Sequence, residues 1–228
     1  MPYFYDPTYI IIIPAIIFAL IAQINVTSTF QKYSKVRNAR GFTGRDVARQ
    51  ILDNNGLYNV RIEQVSGNLS DHYDPRNNVV RLSDSVYNSS SVAAIGVAAH
   101  EVGHAIQHSQ GYTPIKIRSA IIPVSQIGSS LAVPLVILGL ILSIQPFITF
   151  GILLFTTVVF FQAITLPVEF NASRRALATL RDNFILDGEE LSQSKKVLTA
   201  AALTYVAALF SSLMSLLRLI LLSGRRKR

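Results

Sequence analysis

From residue 119 to residue 168 the chain carries no charged side chain, a stretch that a water-soluble fold rarely sustains, even in a buried helix. The polar break "SIQPF" at 143–147 divides it into two apolar runs, roughly 120–143 and 147–166, which read as a membrane hairpin. Each is close to the roughly 20 residues that cross a hydrocarbon core as helix. Upstream, "YIIIIPAIIFALIAQI" at 9–24 is also uncharged and makes a third candidate span with Val26. The preceding "MPYFYDP" has no Lys or Arg, so it lacks the basic leader of a cleaved signal and the run is expected to be a retained anchor. A fourth run, about 197–222, is interrupted by Arg218; with its serines, it allows a span, a helix lying in the interface or a re-entrant one.

The formal charge of +8 raises the question of nucleic acid, which the placement of the 21 Lys and Arg answers. Eleven fall in 32–118, five in 174–196 and five in 218–228, with none before the first span or in the hairpin turn. This is a topology signal: both long polar segments are expected in the cytoplasm, and the N-terminus and hairpin turn outside. The exception is the tail "GRRKR", which a complete fourth span would send outside. With no interleaved aromatic platform, no nucleic-acid partner is expected; the partners are the lipid bilayer and a peptide or protein substrate. There is no cysteine, so any metal must be held by His, Asp or Glu.

The polar segment 27–118 is long enough for one small domain. "TGRDVARQILDNNGL" offers Thr43 as a helix cap, Val47, Ile51 and Leu52 at helical spacing, and Gly56 as a stop. "YNVRIEQV" at 58–65 and "VVRLS" at 79–83 read as two short strands around the turn-rich "SGNLSDHYDPRNN". "SSSVAAIGVAAHEVGHAIQHSQG" then runs from serine caps to Gly111, predicting a helix of about 17 residues.

That helix carries the chemistry. His100 and His104 are four apart, so their imidazoles share one face and reach one cation. Zinc accepts such nitrogens, takes a third nitrogen or carboxylate ligand, and keeps an open position for water in catalytic sites. Glu101 lies beside the metal, placed to take a proton from an activated water and return it to a leaving amine. H-E-x-x-H therefore points to hydrolysis of a peptide bond. Two polar residues on an exposed helix face would be the bland alternative. Against it, three of the four histidines fall within nine residues, with the glutamate in the required place.

For the third ligand His108 is too far, displaced by about 12 Å of helix rise from His100. His72, in "SDHYDPR", could reach the site from its loop. Glu169 in "LPVEFNASRRALATL" is the better candidate: it is the first charge after the hairpin and returns to the membrane face that the chain left after His104. Pro167 is expected to open a new helix there. Candidates to orient the imidazoles are Asn171, Ser173, Asp71 and Asp74; Tyr73 or His72 could polarise a carbonyl or stabilise an oxyanion. The "VVRLS" strand is expected to offer its edge to an extended peptide.

Through "LSDHYDPR", "VRLS", "AAHEVGHAIQH" and "PVEFNASRRAL", most of the chain resembles the YugP type of neutral zinc metallopeptidases, small bacterial membrane proteins. The resemblance implies that His100 and His104 bind zinc, that Glu101 is catalytic, and that Glu169 completes the site. Two positions depart from the pattern. The family usually has Asp where this chain has Asn171. Related peptidases with a glutamate ligand commonly have Asp at the position of Ser173.

The expected protein is a mainly α integral membrane protein of three or four membrane helices, with a small α+β zincin-like peptidase unit on the HExxH helix. Its segments are an anchor (1–26), a cytoplasmic peptidase region (27–118), a membrane hairpin (119–166), a cytoplasmic segment with the third ligand (167–196), and a C-terminal hydrophobic helix and basic tail (197–228). The expected function is zinc-dependent endopeptidase at the cytoplasmic face of a bacterial plasma membrane, possible targets being membrane-bound or misfolded proteins. A non-hydrolytic zinc-binding scaffold is the alternative. Closed structural sites usually have four protein ligands and no adjacent base, which argues against it. A transporter is disfavoured because the central spans lack a charged residue to couple transport.

Overall fold

The computed structural model describes residues 7–224; the basic residues 225–228 of the tail, and residues 1–6 of the leader, lie outside them. A short 3-10 turn, Pro7–Ile11, leads into α1 (Ile13–Tyr33). There follow α2 (Gly44–Asn54), β1 (Arg61–Val65), β2 (His72–Asp74), β3 (Val79–Ser83), α3 (Asp84–Tyr87) and α4 (Val92–Ser109). Three long helices complete the chain: α5 (Thr113–Leu142), α6 (Gln145–Asp182) and α7 (Gly188–Gly224). The architecture is mainly helical, with one small sheet. Among the described residues, four helices are long and apolar enough to cross a membrane: Thr8–Tyr33, which includes α1, and α5, α6 and α7.

The chain divides into two compact units. One comprises Met1–Gln23, Ile117–Leu166 and Leu203–Arg228. Its surface is apolar in the manner of a lipid-facing one: Ile10, Ile16, Ile17, Leu20 and Ile21 are all exposed. Within it, the Phe18 and Phe210 rings meet edge to face at 6.1 Å, the Arg218 guanidinium lies 3.8 Å from the Tyr9 ring centroid, and its Nε donates to Thr8 Oγ1 at 3.3 Å. As the first partner's number falls the second rises, so α7 runs antiparallel to the N-terminal helix between Phe210 and Arg218. The fourth apolar run is thus a packed partner of the first, which favours a span over a helix lying in the interface.

The second unit comprises Ile24–Lys116 and Pro167–Ala202. Thr43 caps α2 reciprocally: its side chain accepts from the Asp46 amide, and the Asp46 carboxylate accepts from the Thr43 amide. Val47, Ile51 and Leu52 are buried on the face predicted for them. The sheet order is β1-β3-β2, with β1 parallel and β2 antiparallel to β3.

Two expectations about strands are corrected here. The polar loop is not all loop, because His72–Asp74 pairs with Val79–Arg81 as β2. A three-residue strand is too short to show alternation. Nor does "VVRLS" offer an edge: it is the central strand, paired on both sides, and Val79, Val80, Leu82 and Ser83 are fully buried. Burial on both faces matches its nearly continuous apolar character. The outer edges belong to β1 and β2.

A third correction concerns Pro167, which sits inside α6 and opens no new helix. Proline in a helix interior forfeits one backbone bond, and neighbouring packing can compensate. Here Val168, Ala172, Ala176 and Leu180 form a buried stripe at intervals of four, which holds this part of α6 against its own unit's core.

Candidate metal centre

The N-terminus of α4 is capped by Ser91, whose hydroxyl accepts from the Ala94 amide at 3.2 Å. From Val92 to Ala99 nearly every side chain is buried. Further along α4, Glu101 and Gln107 are also buried, while His100 and His104 are half-buried.

The side chains of His100 and His104 converge with Glu169. His100 Nε2 lies 3.2 Å from Glu169 Oε2, and His104 Nε2 lies 3.6 Å from the same oxygen. The two imidazole rings stand edge to face, centroids 4.8 Å apart. Glu169 is only 2% exposed. The three residues form a group whose donor atoms all lie within 4.8 Å of one another, and so could hold a metal ion. Tetrahedral zinc with bonds of about 2.0–2.2 Å separates its ligand atoms by about 3.3–3.6 Å. The two nitrogen to oxygen distances bracket that spacing, and two nitrogens with one carboxylate are donors that zinc accepts. The residues fit the ion. Glu101, 9% exposed, lies one residue along from His100, and its charge acts on His104.

Gly103 permits this convergence. A Cβ placed there would lie 2.8 Å from the carbonyl oxygen of Ala172 on α6. That neighbour is backbone and cannot swing aside. Gly103→Val is expected to push α4 off α6 at a cost of about 1–3 kcal/mol and to separate the histidines from Glu169. A lowered melting temperature with loss of zinc on gel filtration checks this; unchanged melting and zinc content would refute it.

Both imidazoles are held at their other nitrogen. Ser173 Oγ is 3.1 Å from His100 Nδ1, and Gln107 Oε1 is 3.0 Å from His104 Nδ1. Ser173 is therefore placed to orient the His100 ring without adding a charge. Asn171 is bonded to other partners: its Oδ1 accepts from Gln107 Nε2 at 3.0 Å and from Arg175 Nε at 2.7 Å. An aspartate there could accept both bonds equally well.

The loop candidates are engaged elsewhere. His72 Nδ1 contacts the Ser70 carbonyl at 2.8 Å, and its Nε2 faces Arg81 at 3.4 Å. The Tyr73 hydroxyl donates to Asn78 Oδ1, and its ring packs on His108, centroids 5.5 Å apart. Asp71 accepts from the Ser83 amide and hydroxyl, and Asp74 from Arg81. These contacts fasten β2 and its flanking turns to β3. The structure does not bring His72 or Tyr73 into the cluster of His100, His104 and Glu169.

Burial disfavours a protonated His104, but the Glu169 hydrogen bond, with the charges of Glu101 and Glu169, outweighs it and raises the imidazole pKa. A raised pKa means that the proton competes for His104 up to a higher pH. Without metal, the protonated pair stabilises the fold fully below the unfolded value and loses that contribution as pH rises through the raised one. Zinc binding runs the opposite way, because it needs the neutral ring. Chelator competition is expected to show weakening zinc affinity as pH falls through the raised pKa; an affinity flat across that range would contradict the assignment.

Helices long and apolar enough to cross a membrane, together with two imidazoles and a carboxylate that could hold a metal ion, point to the class of metal-binding membrane proteins. Within it, a family model described as "Putative neutral zinc metallopeptidase" matches residues 8–224, and the chain belongs to that family. It is 52% identical over 207 residues to the "Putative membrane protease YugP" of Bacillus subtilis (strain 168), covering 90% of this chain and 92% of that protein. No solved structure matches the chain.

Proposed function

We propose that this protein is a zinc-dependent membrane endopeptidase, hydrolysing peptide bonds at the cytoplasmic face of a bacterial plasma membrane. The observation that carries the reading is the meeting of His100 Nε2, His104 Nε2 and Glu169 Oε2 beside Glu101. His100, His104 and Glu169 would hold the ion. When bound, zinc would acidify a water molecule and polarise the scissile carbonyl. Glu101 would accept the proton of the attacking water on a carboxylate oxygen and return it to the departing amine nitrogen. Nδ1–H bonds to Ser173 and Gln107 would hold both rings with Nε2 turned toward the ion.

The sheet supports a zincin-like arrangement of the peptidase unit, since an antiparallel edge strand, β2, precedes the central strand and the HExxH helix. An extended substrate would add to the outer edge of β2, where main-chain bonds give affinity with little demand on sequence. The cytoplasmic placement rests on the eleven Lys and Arg of 32–118 and the five of 174–196. Membrane-bound or misfolded proteins are the substrates suited to an enzyme tethered there.

Cleavage of casein by the detergent-purified protein, abolished by a chelator and restored by added zinc, is the expected result. A preparation that binds zinc stoichiometrically yet cleaves neither casein nor an unfolded membrane protein would overturn the endopeptidase reading.

A further inference from the structure

Gln107 is a fully buried polar side chain of α4 for which a role as metal ligand or base leaves no place. Its amide is saturated: Nε2 donates to the Val168 carbonyl at 2.8 Å and to Asn171 Oδ1 at 3.0 Å, while Oε1 faces His104 Nδ1 at 3.0 Å. The orientation of the amide follows from chemistry. The Val168 carbonyl can only accept, so the NH2 group must face it, and the flipped amide would set two acceptors together. Oε1 is thereby left to His104, whose Nδ1 must carry the hydrogen. Gln107 thus favours a hydrogen on Nδ1 and leaves Nε2, which faces Glu169, as the nitrogen for a metal ion.

The far side of the amide is anchored as firmly. Asn171 Oδ1 also accepts from Arg175 Nε at 2.7 Å, and Arg175 NH1 donates to Gln110 Oε1 at 2.6 Å. Val168 immediately precedes Glu169. One side chain therefore grips the second histidine of the motif and also the backbone that carries the proposed carboxylate ligand.

We propose that Gln107 is the positioning residue of the metal centre, selecting the His104 tautomer and setting the register of α6 against α4. This rests on the zinc reading of His100, His104 and Glu169. Mere filling of the core would require only the volume of the side chain, whereas positioning requires an acceptor at His104 and a donor at Val168.

The test uses Gln107→Met, which keeps length and bulk without the amide, and Gln107→Glu, which keeps an acceptor for His104 but loses the donating nitrogen. Nitrogen-15 NMR of labelled histidines reads the tautomer in metal-free protein at a pH where the rings are neutral. Chelator competition reads the zinc dissociation constant. The expected result is an Nδ1–H tautomer at His104 in the wild type and in Gln107→Glu, and a mixture in Gln107→Met. The zinc dissociation constant of Gln107→Met should rise about 10–100-fold, the usual effect of removing a partner of a metal-bound histidine. A Gln107→Met protein with the wild-type tautomer and zinc affinity within twofold would overturn the proposal. If that variant does not fold, loss of the Nδ1–H tautomer in Gln107→Glu overturns it instead. Absence of zinc binding by the wild type would count against the zinc reading itself and would be distinguishable, because the tautomer is read without metal.

Discussion

Glu101→Gln is expected to lose peptide cleavage while keeping its zinc. Glutamine matches glutamate in size and leaves the three proposed ligands untouched, so metal content and melting temperature should remain those of the wild type. What disappears is the carboxylate that accepts and returns the proton, a contribution of roughly 10²–10⁴-fold in rate. Casein cleavage and zinc analysis on the two proteins, purified side by side, give the readout. Cleavage at the wild-type rate would remove Glu101 from the mechanism. The same variant separates an enzyme from a zinc-binding scaffold, since a scaffold would keep its physiological function without the carboxylate.

The second large effect is expected at Glu169. Its carboxylate is 2% exposed and faces both Nε2 atoms. Glu169→Ala leaves two nitrogens and no anionic donor, so the zinc dissociation constant should rise by well over the 10–100-fold typical of losing a residue that only orients a ligand. Ser173→Ala, which removes such an orienting group, is the internal standard and should stay within that range. Zinc analysis after gel filtration and chelator competition make the comparison. An equal, small loss in both variants would show that Glu169 is not a ligand.

The sequence announced the helices through runs of uncharged residues and the capping signals at Thr43 and Ser91, all of which are local properties. It placed β3 at its observed residues because a buried strand reads as an apolar run. It did not reveal β2, whose three residues carry no alternation and are held by side-chain contacts across the turn to β3, such as Arg81 with Asp74 and Ser83 with Asp71. Pro167 misled for a related reason: its local preference for a helix start is overridden by the buried stripe from Val168 to Leu180.

The candidate site divides in the same way. His100, Glu101 and His104 are legible because one turn of helix brings them together. Glu169 followed from counting membrane crossings, which is topology rather than local pattern. Ser173 was one of several polar residues near Glu169 until its hydroxyl was seen against His100 Nδ1. Gln107 was overlooked, although a glutamine three residues after His104 on a largely apolar helix was the available signal. Gly103 lies inside the motif itself, yet its role depends on the approach of Ala172 from another helix, which no local spacing encodes.

The central claim is that His100, His104 and Glu169 hold a single zinc ion with a position left open. Zinc X-ray absorption on the wild type loaded with one equivalent tests it most directly. The account predicts tight stoichiometric binding and a first shell of two imidazole nitrogens and light oxygen donors at about 2.0–2.2 Å, with the imidazole signal reduced in His104→Ala. A wild type that takes up no zinc after reconstitution, or a zinc shell without imidazole, would contradict it.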